Sequence, residues 1–169
     1  MPAVDPEVFV ADSSVATGGI GLENIEHIAG LRALRLDDPD LPLFAADGLS
    51  LGFTSEKWIH ATGTIALSNA GSGVRVGLNL ERLVAFGVYG IFKQIAGTSG
   101  PVDVPVDGTG ATSTFRAGAR GEANLTVVSP QGLEPQSDLY VTYHSDGRAH
   151  GVDPGIFGIN AHRHLAVRI

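Results

Sequence analysis

From Trp58 to the end of the chain, apolar and polar residues alternate in short runs that are separated by turn-forming residues. The clearest run extends from Val74 to Glu81, where valine and leucine occupy every second position. This period of two is the pattern of a strand with one face buried and the other in water. The chain also contains 23 glycines and 9 prolines among 169 residues, which favours many short elements over a few long helices.

The alternating runs predict nine or ten strands, with turn signals recurring about every 8 to 12 residues. Pro105 marks one of them as an edge strand, because proline cannot donate a hydrogen bond to a neighbour. We therefore expect an all-β fold, either an antiparallel Greek-key sandwich or a closed barrel of about 8–10 strands. The predicted strands are Leu41–Ala46 and Leu49–Phe53, joined as a hairpin at Asp47-Gly48, then Trp58–Ser68, Val74–Glu81, Phe86–Lys93, Val102–Val106, Thr112–Ala117, Glu122–Val128, Leu139–His144 and His164–Ile169.

The N-terminal third differs from the rest. Leu22–Leu36 has apolar residues at roughly helical spacing, with glutamates early and arginines late, and predicts one short helix. We expect a single domain over 1–169, in which an irregular and helical segment (1–57) packs on a β-core (58–169).

Composition excludes several classes of function. Eighteen acidic residues outnumber eleven scattered basic ones, giving a net charge of −7, so neither nucleic acid nor an anionic membrane is an expected partner. The absence of cysteine excludes disulfides and thiolate metal sites. Gly19-Ile20-Gly21 lacks the rest of a dinucleotide fingerprint, so no nucleotide cofactor is expected. The N-terminus lacks the pattern of a signal peptide, which predicts a cytoplasmic protein, or a secreted one if a signal peptide has been removed.

Histidine is the residue type that most suggests chemistry here. Four of the six histidines lie in the last 26 residues, and histidine is the usual metal ligand where cysteine is absent. His162 and His164 are two apart on a predicted strand, so both rings point to the same face. If the last two strands are neighbours, His144 could join them in an open site for zinc, copper or iron. His27 and His60 lie outside this group.

His150 fits the metal site less easily. A two-residue hairpin at Asp146-Gly147 would place His144 and His150 on opposite faces, and a longer loop or a bulge would be needed to bring them together. All four histidines (His144, His150, His162 and His164) are candidate metal ligands, and the alternative is that they are solvated side chains on polar strand faces. A separate expectation is an aromatic pocket that includes Trp58, His60 and Tyr140.

The C-terminal residues also carry a family resemblance. The run from Tyr140 to Gly147, then His150-Gly151, and the closing strand from His164 to Ile169 resemble Greek-key β-domains of the CHRD and copper/zinc superoxide dismutase type. The resemblance covers about 30 residues. It implies a β-sandwich more than an activity, because the chain lacks the early His-x-His and the cysteine pair of those families.

Three functions remain open at this stage. The first is a metal-binding β-sandwich, with the metal activating water if the protein is an enzyme. The second is a sandwich or barrel that binds a small apolar molecule, as a carrier or as a cyclase or isomerase. The third is a non-enzymatic module that forms a homo-oligomer through an apolar strand. The sequence leaves undecided whether the protein is an enzyme.

Overall fold

A computed structural model describes residues 8–11 and 31–169 of the chain. These residues contain twelve antiparallel strands and one short helix. In chain order the elements are β1 (Phe9–Ala11), β2 (Leu31–Ala33), β3 (Pro42–Phe44), β4 (Ser50–Thr54), α1 (Ser55–Ile59), β5 (Thr62–Ala70), β6 (Gly73–Glu81), β7 (Val88–Gly97), β8 (Gly100–Pro105), β9 (Thr114–Arg116), β10 (Ala123–Ser129), β11 (Asp138–His144) and β12 (Ala161–Arg168).

The strands form three open sheets. The first sheet has the order β2-β1-β3-β4, and the second has the order β10-β6-β5. The third has the order β12-β11-β7-β8, with β9 also paired to β7. The chain passes from the second sheet to the third between β6 and β7, and again between β10 and β11. Non-consecutive strands therefore become neighbours, namely β10 beside β6 and β11 beside β7.

The second and third sheets pack face to face, which confirms the antiparallel sandwich rather than the closed barrel. The alternation predicted for Val74–Glu81 is seen directly, because Val76, Leu78 and Leu80 are buried and the residues between them are more exposed. Their side chains meet the inner faces of β7 and β11, where Tyr89, Ile91, Leu139 and Val141 lie in the same hydrophobic cluster.

The described part of residues 1–57 contains strands where irregular structure was predicted. The hairpin of β3 and β4 is confirmed, with Gly48 in the left-handed conformation that its tight turn requires. Val8, Val10, Leu34 and Leu43 join the hydrophobic cluster of the sandwich. The backbone N–H of Ala46 donates to the carbonyl of Gly158, 2.7 Å away, and so links the first sheet to the long loop before β12.

Two predictions of local structure fail in the described residues. Leu31–Ala33, the end of the predicted helix Leu22–Leu36, forms β2 and pairs with β1. The remainder of that helix up to residue 30, including His27, lies outside the described residues. Trp58 and Ile59, predicted as the start of a strand, belong to α1. In the part of the chain that the structure describes, no helix is long and apolar enough to cross a membrane.

Candidate ligand-binding cleft

The two C-terminal strands are neighbours, but their register separates the histidines. Tyr143 pairs with His162, and His144 pairs with Ala161. Directly opposite residues in an antiparallel pair share a face, so His162 lies on the face of Tyr143 while His144 lies on the other. The expectation that His144, His162 and His164 converge on one ion is therefore wrong.

His164 is half-buried against the core, and both of its ring nitrogens are hydrogen-bonded. Its ring stacks on Trp58 with centroids 3.6 Å apart and an angle of 8° between the planes. Nε2 lies 2.7 Å from the carbonyl oxygen of Trp58, which can only accept, so Nε2 carries the proton. Nδ1 then accepts from the Tyr89 hydroxyl at 3.0 Å, and that hydroxyl accepts from the backbone N–H of Val84. Neither nitrogen retains a lone pair for a metal.

These contacts also set the ionisation of the Tyr89–His164 pair. Burial lowers the pKa of His164 to about 4, against the opposing effect of the hydrogen bond to the Trp58 carbonyl. Burial likewise raises the pKa of the Tyr89 hydroxyl. Both side chains are therefore neutral at pH 7, as the hydrogen-bond directions require.

His162 has a structural contact at the base of the loop between β11 and β12. Its Nε2 lies 2.9 Å from the Ser145 hydroxyl, which is also 3.1 Å from the carbonyl oxygen of Ile159. The hydroxyl must donate to that carbonyl, so it accepts from His162. Ser145 therefore closes the loop by hydrogen bonding, and its proton is not directed towards a histidine base as it would be in an activated nucleophile.

His144 and His150 form a separate pair on the outer face of the third sheet. The two-residue hairpin considered above is absent, because a loop of residues 145–160 separates β11 from β12. This loop places the His150 ring on the His144 ring, with centroids 4.6 Å apart. Nε2 of His150 lies 2.9 Å from a carboxylate oxygen of Asp146. Burial, followed by the charge of His150, lowers the pKa of His144 to about 4.

The stacked arrangement does not form a metal site. The two rings are nearly parallel, with 27° between their planes, so their nitrogen lone pairs do not meet at one point. Among the described residues, no group of three or more histidine, aspartate or glutamate side chains could hold a metal ion. The cluster of His144, His150, His162 and His164 predicted from sequence is thus divided between two faces and two different roles.

A cleft of about 640 Å³ beside α1 could accept a ligand. Its aromatic residues are Phe53 and Tyr143, which lie 5.8 Å apart in an edge-to-face arrangement. The other lining residues come from β4, α1, the β6–β7 connection and the β9–β10 connection: Leu51, Gly52, Glu56, Lys57, His60, Arg82, Leu83, Val84, Ala85, Ala119 and Arg120.

The residues predicted to form an aromatic pocket are only partly brought together. His60 lines the cleft, and Trp58 lies directly behind it, with its ring centroid 6.0 Å from those of both Phe53 and Tyr143. Tyr140 is on the opposite face of the third sheet, where the Arg163 guanidinium lies 4.2 Å above its ring. Tyr143 contributes a buried phenol ring to the cleft, and its pKa is raised by burial and by the charge of Asp146.

One helical turn positions the α1 side of the cleft. The Asp40 carboxylate accepts from the backbone N–H of Glu56 at 2.9 Å, and so caps the helix from the preceding connection. Trp58 is buried on the inner side of this turn, while Glu56, Lys57 and His60 remain exposed around the cleft. The contact between Asp40 and Glu56 explains why a helix replaces the predicted strand here.

The opposite wall is fixed by backbone hydrogen bonds. Leu83 donates to the carbonyl of Gly121 and Phe86 donates to that of Gly118, which joins the β6–β7 and β9–β10 connections. Arg82 and Phe86 have φ angles of 58° and 57°, in the left-handed region that non-glycine residues rarely adopt. Such strained positions persist where the surrounding structure holds them firmly, so this wall is ordered before any ligand arrives.

Replacing Gly121 by alanine tests the rigidity of this wall. Gly121 has a φ of 75°, and an added Cβ would lie 2.1 Å from the carbonyl oxygen of Leu83. We expect Gly121→Ala to lower the free energy of unfolding by about 2 kcal/mol or more, measured by urea denaturation. Gly132→Ala is the matched control, because Gly132 has a similar φ of 78° but nothing within 4 Å of an added Cβ. Equal losses in the two variants would mean that the close packing on Leu83 contributes nothing.

The cleft concentrates positive charge in an acidic protein. Lys57, Arg82 and Arg120 line it, and all three are exposed and form none of the described ion pairs. Other arginines are neutralised, as in the pairs Arg32–Asp38, Arg163–Asp103 and Arg168–Asp138. Glu56 is the one carboxylate among the described residues of the cleft lining. Sequence reasoning missed this group, because the three cations are far apart in the chain and have no shared motif.

Comparisons with known proteins found no match: no protein-family model, no curated protein and no solved structure resembles this chain. The resemblance to CHRD and superoxide dismutase domains therefore stays a prediction.

Proposed function

We propose that the protein binds a small organic anion in the cleft beside α1. The observation that carries the proposal is the combination of three exposed cations, Lys57, Arg82 and Arg120, with an aromatic surface formed by Phe53 and Tyr143. A cleft of about 640 Å³ falls within the range of roughly 300 to 1,000 Å³ that is typical of small-molecule sites.

The two kinds of lining residue suggest the chemistry of the ligand. An apolar or planar part of the ligand would contact Phe53 and Tyr143, where ring stacking and burial supply binding free energy. A carboxylate, phosphate or sulfate group would be bound by Arg82 and Arg120, since a guanidinium donates paired hydrogen bonds to such groups. The net charge of the chain is −7, so the group of cations in the cleft is opposite in sign to the charge of the protein as a whole.

The hydrogen bonds of the described residues favour binding over catalysis. His164, a half-buried histidine stacked on Trp58 behind the cleft, is neutral and has both nitrogens engaged. Ser145, the hydroxyl nearest to a histidine, donates to a backbone carbonyl. A carrier or sensor of the ligand needs neither group to react, so we propose a binding protein rather than a cyclase or isomerase.

Isothermal titration calorimetry with matched ligand pairs tests the proposal. We would titrate aromatic carboxylates, aryl phosphates and aryl sulfates, each beside a neutral ester or amide of the same shape. We expect the anions to bind at least tenfold more tightly than their neutral partners, because only they engage the arginines. Binding should also weaken with added salt.

Two double variants separate the cleft from general surface charge. Arg82→Gln combined with Arg120→Gln should weaken anion binding at least tenfold, whereas Arg75→Gln combined with Arg148→Gln removes two exposed arginines elsewhere and should leave it unchanged. Equal weakening of anion binding by the two double variants would mean that binding depends only on the net charge of the protein. If no anion of the three classes bound at millimolar concentration, the proposed function would be wrong.

A further inference from the structure

We propose that β5 is the dimer interface of this protein, where a second copy of the chain adds its own β5 antiparallel to form one continuous six-stranded sheet. This inference is independent of the ligand proposed for the cleft. It rests on the unpaired edge of β5, on the composition of that strand, and on an apolar crevice beside it.

β5 is a long and regular edge strand. It pairs with β6 at all nine residues, from Thr62 opposite Glu81 to Ala70 opposite Gly73, without a bulge. Its other edge has no partner among the described residues. Most of its residues are exposed on both faces of the sheet, including Leu67 at 45%. A strand in this position presents a row of free N–H and C=O groups to any chain of matching shape.

The sequence of β5 lacks the usual protection against strand pairing. Thr62–Ala70 contains no charged residue and no proline. By contrast, the edge strand β8 carries Pro101, Asp103 and Pro105, and the edge strand β12 carries two arginines and a register irregularity opposite β11. Charges, prolines and bulges are the devices that keep edge strands apart, and both edges of the third sheet have them. The other edge of the second sheet, β10, lacks them too, but it is two residues shorter than β5 and more of its residues are buried or half-buried.

The neutral strand also identifies a second copy as the partner. Each chain carries a net charge of −7, so two copies repel wherever acidic surfaces approach. Pairing β5 with β5 brings only uncharged side chains together. With the two-fold axis near Ala66, the middle residue, Ile65 of one copy lies opposite Leu67 of the other, and such cross-strand apolar pairs are stabilising. An isologous contact of this kind closes at two subunits.

An apolar crevice of about 100 Å³ lies along the same side of the sandwich. It opens between β5 and β12, and Ile65, Leu80, Val141 and Leu165 are among its lining residues. The two sheets are therefore not sealed against water at this side. Adding a strand to β5 would cover part of this opening as well as the backbone groups of the edge.

Light scattering after size-exclusion chromatography tests the oligomeric state of the full chain at about 10 to 200 μM. We expect a mass of twice 17.5 kDa at the higher concentrations. Ala66→Lys places two ammonium groups across the axis, and we expect it to abolish the dimer at every concentration. Ala66→Thr, neutral and suited to strands, should retain it.

Thr126→Lys is a matched control on the opposite edge of the same sheet. Thr126 on β10 and Ala66 on β5 both pair with Gly77 of β6, so they lie in one row across the sheet and both are exposed. The dimer should survive Thr126→Lys. Loss of the dimer in Thr126→Lys would indicate a contact between β5 and β10 instead of the closed β5 pair, and would overturn the proposal. A wild-type mass of one chain at every concentration would overturn it as well.

Hydrogen exchange of the wild-type protein gives a reading that does not depend on any variant folding. In a dimer, the β5 amides that point away from β6 are hydrogen-bonded to the second copy and should exchange more slowly at 200 μM than at 10 μM. The β10 amides at the opposite edge should not change. Exchange of these β5 amides that is as fast at both concentrations as that of the outward β10 amides would also contradict the proposal.

Discussion

His164→Ala is expected to lower the free energy of unfolding by about 4 kcal/mol, measured by urea denaturation at pH 7. The substitution removes a half-buried ring that stacks on Trp58 at 3.6 Å. A fully enclosed cavity typically costs about 2 to 5 kcal/mol, so the lower end of that range applies here. It also leaves the Tyr89 hydroxyl and the Trp58 carbonyl without their partner inside the core, at about 1 to 3 kcal/mol for each unsatisfied group. Partial collapse of the site keeps the total below the sum of these terms.

Two further variants test whether the loss of stability comes from the His164 ring and its hydrogen-bond partners. His60→Ala removes an exposed histidine from the cleft lining and should change the free energy of unfolding by less than about 0.5 kcal/mol. Tyr89→Phe keeps the aromatic ring but deprives His164 Nδ1 and the Val84 N–H of their partner, and should cost about 1 to 3 kcal/mol. A loss below about 1 kcal/mol for His164→Ala would mean that the ring is not enclosed in this way.

The fold could be predicted largely because burial on one face of a strand leaves a period of two in the sequence. Val74–Glu81 showed that period and forms β6. Leu139–His144 was also predicted as a strand and forms β11, although Thr142 and His144 on its other face are buried as well. Trp58 showed the same local pattern and is nevertheless helical. The decisive contact there is the cap that Asp40 gives to the Glu56 N–H, across 16 residues of chain, and no local periodicity reports it.

The site was harder to predict, because it depends on register and on connections. The same-face prediction for His162 and His164 is correct, since it follows from strand geometry alone. Whether His144 joins them depends on the residue paired with it, and moving the register by one would turn every β12 side chain to the other face. That register is set by the 145–160 loop, whose length the Asp146-Gly147 turn signal concealed.

No local pattern in the sequence indicated the cleft. Its cations come from α1 and from two connections, and the hydrogen bonds of Leu83 to Gly121 and of Phe86 to Gly118 hold Arg82 and Arg120 on the same wall. Each arginine, read alone in the sequence, is an ordinary solvated residue. A charge cluster built by tertiary structure can be recognised only once the connections have been placed.

Acidification from pH 7 to pH 4 is expected to lower the free energy of unfolding in a specific window. His164 has a pKa of about 4 in the folded protein because its ring is buried, against an ordinary value of 6.5. Between these two values the unfolded chain binds a proton at His164 that the folded protein does not. Stability is therefore complete above pH 6.5 and falls as the pH drops towards 4. A difference of about 2.5 between the pKa values corresponds to about 3 kcal/mol at most.

His144 acts in the same direction, because burial and the charge of His150 lower its pKa to about 4 as well. Urea denaturation at pH 7, 6, 5 and 4.5 measures the combined slope. His144→Leu removes one of the two titrating rings together with an Nδ1 atom that has no hydrogen-bond partner, and should make the slope shallower. Stability that stayed constant from pH 7 to 4.5 would contradict the neutral state of His164 and His144 in the folded protein.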